Sequence, residues 1–196
     1  MKVLVACEES QIVTKAFRAK GHEAYSCDIQ DCSGGHPEWH IKDDVRKVLD
    51  FDWDMLIAHP PCTYLSKVSS VHLYRNNELN IDRYILGVEA KNFFMILYNA
   101  NIKYKCIENP TPLKIFDLPL HSQVINPYEF GHPYSKRTLL WLFNLPGLIC
   151  TDVIAYEYVE STVTSDWYNK FTNDRQKNRS KTFPGIAYAM AEQWNF

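Results

Sequence analysis

Over its first 29 residues the chain changes hydrophobic period twice, and no other feature constrains its fold as strongly. Residues 2–7 (KVLVAC) are a short, continuous apolar run suited to a buried strand. Residues 9–20 then put Ile12, Val13, Ala16 and Phe17 on one face of a helix, which Gly21 ends, and residues 22–29 return to strand. Further runs repeat the alternation: a helical piece near 44–49, a strand at 55–58, a long helix over 80–99 and a strand at 104–108. Strands alternating with helices predict an α/β fold, with a mostly parallel twisted sheet and helices on both faces. Beyond Pro110 the pattern shifts to β runs at 124–130 and 139–143, and a last helix over 184–194 opens on Pro184.

At 196 residues the chain has material for one core, so residues 1–196 read as a single domain with an irregular insert at about 144–179. Its apolar content excludes disorder, and no run approaches twenty apolar residues, so no membrane span is expected. The start, MKVLVACEESQ, lacks the regions of a secretory signal, which predicts a cytoplasmic protein with its six cysteines as thiols. With a net charge of −2 the molecule lacks the overall basic field of a nucleic-acid binder, so such contact must be local. The candidate is 169–181, where Lys177 and Arg179 stand among five basic residues and one acidic one; a solvated basic loop is the competing reading.

Ligands of open α/β sheets sit at the carboxyl ends of the strands. The residues there are Cys7-Glu8-Glu9-Ser10, Asp28, His59-Pro60-Pro61-Cys62 and Glu108-Asn109-Pro110. Two prolines hold Cys62 in a stiff loop, as suits a nucleophile, and Glu108 leaves a neighbouring strand where a carboxyl can exchange a proton with the same reacting centre. His59 is a candidate for stabilising the Cys62 thiolate. Cys27, Cys32, His36 and His40 have a spacing that could in principle surround zinc, but it fits no common zinc pattern, and no metal is expected.

His59-Pro60-Pro61-Cys62, followed by Glu108-Asn109-Pro110, resembles the Pro-Cys and Glu-Asn-Val motifs of the DNA cytosine-C5 methyltransferases. The order of motifs continues along the chain. Asp28 is similar to the acidic residue that holds the cofactor ribose, Asp44-Val45 to the pair at the adenine, residues 135–142 (SKRTLLWL) to the basic strand at the target base, and 180–185 (SKTFPG) to the C-terminal motif completing the cofactor site. The strings GGHPEWH, HPPCTYLS, INPYEFGHP and KTFPGIA also resemble small phage-type methyltransferase-like proteins.

The resemblance implies a Rossmann-like class I methyltransferase fold and S-adenosylmethionine as cofactor. It implies that Cys62 attacks C6 of a cytosine in DNA, that Glu108 holds or protonates N3, and that C5 takes the methyl group. Cofactor contacts would come from Cys7, Glu8, Ser10, Asp28, Asp44, Val45, Pro60 and Thr182. Substrate contacts would come from Asn109, Lys136, Thr138, Lys177 and Arg179. A base in duplex DNA must leave the stack first.

The chain departs from the family in four places. No glycine precedes Gly21, so Cys7-Glu8-Glu9-Ser10 must form the first turn with larger side chains, Ser10 being a candidate helix cap and Glu8 or Glu9 a candidate partner for an amino group. Thr138 stands where the family has a second arginine, and Pro110 where it has valine. Residues 144–179 are too few for a full recognition lobe, although Tyr156, Tyr158, Trp167, Tyr168 and Phe171 are suited to stacking bases or to packing on the core. Duplex DNA, single strands and free pyrimidine nucleotides all remain substrates to consider, with a protein partner possible for recognition. A catalytically silent relative that binds nucleotide, DNA or protein is the alternative. An adenine amino-methyltransferase is disfavoured, since Cys62 lacks the aromatic ring and His59 the carboxamide of that loop.

Overall fold

A computed structural model describes residues 1–76, 78–161 and 181–196. Its centre is a seven-stranded sheet built from β1 (Lys2–Ala6), β2 (Glu23–Asp28), β3 (His40–Lys42), β4 (Met55–Ala58), β7 (Tyr104–Pro110), β8 (Gln123–Ile125) and β10 (Thr138–Phe143). Two small ribbons lie outside it: β5 (Tyr74–Arg75) with β6 (Glu78–Leu79), and β9 (Tyr134–Ser135) with β11 (Glu160–Ser161). The order across the sheet is β3-β2-β1-β4-β7-β10-β8. The first five are parallel to one another, and β10 runs antiparallel between β7 and β8. This is the expected Rossmann-like α/β sheet, mostly parallel and covered on both faces.

The unbroken apolar runs follow from that double covering. Val3 and Val5 of β1 face one side with Met55 and Ile57 of β4; Leu4 and Ala6 face the other with Leu56 and Ala58, and all are fully buried. The first side is closed by α1 (Ile12–Ala19) and α3 (Pro184–Gln193), which pack on each other through residues that include Val13, Phe17, Ile186 and Met190. The second is closed by α2 (Ile81–Asn99), through Phe94 and Leu97, with Trp53, Phe116 and Trp141. Gly87 lets α2 approach Phe116, whose ring occupies the space a β-carbon would need.

Several boundaries differ from the sequence expectation for local reasons. The first helix begins at Ile12 because Cys7 and Gln11 adopt left-handed backbone (φ 59° and 57°), which holds the intervening residues in a turn. The piece near 44–49 is a single 3₁₀ turn, Val45–Lys47, whose first amides are served by the Asp44 carboxylate. The run at 124–130 stops at Ile125, since Pro127 has no N–H for a ladder and instead opens a 3₁₀ turn over Pro127–Glu129. Conversely β7 extends through Asn109 and Pro110, because β10 pairs Leu139 with Asn109 and Thr138 with Pro110. No helix among the described residues is long and apolar enough to cross a membrane.

The carboxyl end of α2 is held by one buried cation. Lys105 of β7 is 7% exposed and donates from Nζ to the carbonyls of Tyr98 and Ala100, at 2.8 and 2.7 Å. Burial pulls its ammonium below the usual lysine range. Lys105→Met, which keeps the stem and removes the donors, is expected to destabilise the fold by about 1–3 kcal/mol. Urea unfolding measures this, and an unchanged midpoint would refute the role given to the ammonium.

Candidate active site

The direction of winding reverses between β1 and β4: from β1 the chain moves outward to β2 and β3, then returns to lay β4 on the other side. The crevice at such a switch point is where α/β sheets bind ligands. Here Cys7 and Glu8 leave β1, His59 leaves β4, and Glu108 lies near the end of the next strand, β7.

The loop carrying Cys62 is tied to the end of β7 and the residues just after it by three hydrogen bonds, two of which make a β-bridge. The Asn109 side-chain amide donates to the Pro60 carbonyl at 3.0 Å. Lys67 N–H donates to the Thr111 carbonyl at 2.9 Å, Leu113 N–H to the Leu65 carbonyl at 2.7 Å, and Ser66 forms a β-bridge with Pro112. The Cys62 carbonyl accepts from Leu65 and Ser66 N–H, so a tight turn follows the cysteine. From α2, Arg83 donates to the Thr63 carbonyl and lays its guanidinium over the Tyr64 ring, 4.6 Å from the centroid. Cys62 itself is half-buried, in a loop with little freedom to move. Asn109, expected among the substrate contacts, is 1% exposed and instead shapes this loop.

Glu108 is 11% exposed, and its Oε2 accepts a hydrogen bond from His59 Nδ1 at 3.0 Å. Burial alone would raise its pKa, but the His59 hydrogen bond and the charges of Lys136 and His59 carry it below the ordinary glutamate value. Lys136 thus acts on Glu108 from the turn before β10. Thr138, also expected at the substrate, is buried and donates its hydroxyl to the Lys136 carbonyl at 3.0 Å, which braces that turn. Thr182, just before α3, brings its hydroxyl to 3.5 Å from His59 Nδ1. This places the segment before α3 at the same strand ends.

On the crevice's other wall, Glu8 is turned into its own helix. Its carboxylate accepts from Val13 N–H at 2.6 Å, from Thr14 N–H at 3.2 Å and from the Thr14 hydroxyl at 2.7 Å. Burial nevertheless raises its pKa, with nearby His59 and these hydrogen bonds opposing the rise. The cap expected from Ser10 is therefore absent: Ser10 is buried, and Glu8 serves the helix amides in its place. Burial, then the charges of Asp28, Cys27 and Asp44, hold the Cys7 thiol well above its usual range. Asp28 is half-exposed and accepts from Gln30 N–H at 2.9 Å. The Asp44 carboxylate is gripped by the Arg46 side chain, which lowers its pKa, while Val45 is buried beneath it.

Sequence reasoning missed Gln11. It is wholly buried; its amide donates to the His36 carbonyl at 2.7 Å and accepts from His36 N–H and the Cys32 thiol, both at 3.1 Å. Gly34 packs so closely on it that a β-carbon there would lie 2.5 Å from Gln11 Cβ and the Ser10 carbonyl. The pair of glycines at 34–35, beside a buried glutamine, was the only available signal.

The four residues weighed as zinc ligands have separate partners. Cys27 bonds to the Asp43 carbonyl, with burial pushing its thiol up to about 11, and Cys32 bonds to Gln11. His40 bonds to Ser26 and Gln30, while His36 stacks on Trp39. Among the described residues no group of three or more His, Cys, Asp or Glu could hold a metal ion. Trp167, Tyr168, Phe171, Lys177 and Arg179 lie outside the described residues. A surface groove of about 660 Å³ lined by Trp53, Tyr98 and Phe143 lies at the opposite end of the sheet, away from this chemistry.

No family model matches the chain. No curated protein matches it either. Among solved structures, it is similar to the Dnmt2 methyltransferase of S. pombe, with a TM-score of 0.44 and 16% identity over 75% of this chain and 50% of that one. It is also similar to a mutant DNMT2 of Spodoptera frugiperda, with a TM-score of 0.40 and 12% identity over 78% and 54%. The chain spans about half the length of these proteins. At these scores the likeness carries no weight for activity, which has to be read from the site.

Proposed function

We propose that the chain is an S-adenosylmethionine-dependent methyltransferase acting on C5 of cytosine in DNA, through a covalent bond from Cys62. The observation that supports this reading is the stitching of the Cys62 loop to residues 109–113, which follow Glu108 directly in the chain. In this reading the Cys62 thiolate adds to C6 and the C5=C6 π electrons move toward C5, while Glu108 gives or shares a proton at N3, where charge would otherwise build, and takes it back as the double bond re-forms. C5 gains the methyl group and loses its proton, and that electron pair re-forms the double bond as the S–C6 bond breaks. Lys136, beside Glu108, supplies a positive charge where a pyrimidine and its phosphate approach.

The cofactor follows from the wall opposite. A helix N-terminus in such a crevice ordinarily attracts phosphate, but the α1 amides are already taken by the Glu8 carboxylate. That arrangement repels a phosphate-bearing cofactor and suits a phosphate-free cationic one, with Cys7, Asp28, Asp44, Val45, Pro60 and Thr182 around it. S-adenosylmethionine, when bound, supplies the methyl group.

A second reading, a silent relative that keeps the fold to bind nucleotide, DNA or a protein, is favoured by one observation: Glu8 and Asp44 already have partners within the chain. Calorimetric titration with S-adenosylmethionine and S-adenosylhomocysteine separates the two. Saturable binding is expected, weakened at least about tenfold in Asp28→Ala through loss of a charged hydrogen bond. Transfer of labelled methyl to cytosine-containing polymer then tests the reaction. Absence of binding at millimolar ligand would favour the silent relative, and transfer to deoxycytidylate but not to polymer would move the substrate to free nucleotides.

A further inference from the structure

The reading above gives no part to His59, yet His59 lies at the middle of the three strand ends. It is 7% exposed, follows β4 directly, and is anchored by its own N–H donating to the Ala6 carbonyl of β1 at 3.0 Å. Its ring reaches across to β7, where Nδ1 meets Glu108 Oε2 at 3.0 Å. An ionised carboxylate only accepts hydrogen bonds, so Nδ1 is the proton-bearing nitrogen. Nε2 is buried and has no hydrogen-bond partner among the described residues. Among the described residues the ring is therefore held at Nδ1 alone, by Glu108 and, more distantly, by the Thr182 hydroxyl.

We propose that His59 is a positioning residue for Glu108: its Nδ1 occupies Oε2 and leaves Oε1 as the atom that meets the pyrimidine ring. The proposal rests on the methyltransferase reading and deepens it. A lone buried carboxyl can rotate and can take up a proton from solvent. Tied to His59, Glu108 has one oxygen committed and one to offer, which fixes the angle at which a base edge is read. Every element around the pair contributes a group that bears on it. His59 in turn bears on Glu8 in the turn after β1, opposing the rise that burial gives its carboxyl. Lys136 from the turn before β10 acts on Glu108. The Thr182 hydroxyl lies close to Nδ1, and the Cys106 thiol, raised by burial and by Glu108, lies two residues back on β7. With Lys136 the cation remaining near it among the described residues, loss of the ring leaves Glu108 buried and less compensated, which raises its pKa.

The test uses two variants and two readouts. His59→Leu removes the donor, whereas His59→Asn keeps an N–H close to the position of Nδ1. In protein labelled with ¹³C at the glutamate carboxyls, the Glu108 resonance, identified by its loss in Glu108→Gln, is followed against pH. Its midpoint is expected to rise by about one unit or more in His59→Leu and to return most of the way in His59→Asn. In methyl transfer, kcat is expected to fall roughly tenfold or more in His59→Leu, with the KM for S-adenosylmethionine unchanged. A Glu108 midpoint and a kcat both unmoved in His59→Leu overturn the proposal. So does His59→Asn as impaired as His59→Leu, since packing of the ring would then be what matters. If wild-type protein transfers no methyl group at all, the methyltransferase reading falls, and the carboxyl titration still decides whether His59 governs Glu108.

Discussion

Cys62→Ser is expected to abolish methyl transfer, a loss on the order of 10⁴-fold or more, because a serine hydroxyl near neutral pH is a far poorer nucleophile than a thiolate. Affinity for S-adenosylhomocysteine and the unfolding midpoint should change little. The Cys62 side chain is half-buried, and the contacts that hold its loop are made by the Cys62 and Pro60 carbonyls and by neighbouring residues. Incorporation of labelled methyl into polymer, with cofactor binding measured on the same preparation, reads both. Turnover retained in the variant would remove the covalent mechanism while leaving the fold and the cofactor site as described. A variant that also lost cofactor affinity would show that the loop had been disturbed, and Cys62→Ala would then be the cleaner substitution.

The second large effect is on stability. Gly185 sits in the first turn of α3, where its N–H donates to His132 Nε2 at 2.9 Å and the space for a β-carbon is filled by the Phe130 carbonyl. Backbone cannot yield as a flexible side chain does, so Gly185→Ala is expected to destabilise the protein by about 3 kcal/mol. Tyr188 of the same helix is 64% exposed, and Tyr188→Ala should change stability by no more than about 0.5 kcal/mol. Urea unfolding of the two variants measures the contrast. Because α3 is entered from Thr182 and Phe183, displacing its first turn also withdraws the Thr182 hydroxyl from His59. Equal stability of the two variants would refute the close approach at Gly185.

The parts of this molecule that were legible in the sequence are those written in local pattern. The apolar runs at β1 and β4 announced strands covered on both faces, and Asn80 and Pro184 marked helix starts that the structure places within one residue. Strand ends are also legible in the sequence, and Cys62 and Glu108 lie at two of them. What escaped notice is set by neighbours distant in sequence. Nothing near Asn109 reveals that it will pair with Leu139 of a strand returning antiparallel, or that its amide will reach back 49 residues to Pro60. The left-handed backbone at Cys7 and Gln11 is likewise invisible in composition, since both residues ordinarily avoid it. Glu8 was read as facing outward to a ligand, but the unsatisfied amides of α1 lay closer.

The packing of α1 against α3 also bears on when this protein can fold. Residues 12–19 have as their partner a helix made of residues 184–193, so one face of the sheet stays uncovered until that distant helix has left the ribosome. Sheet assembly is similarly delayed, because β10 must insert between two strands that are already synthesised. Pairings of such long sequence separation form slowly. During translation Val13 and Phe17 therefore meet water or a chaperone before they meet Met190. Thr182 reaches His59 only in the same late step, so a nascent chain that stops short of it carries its thiol without the surroundings that would let it act.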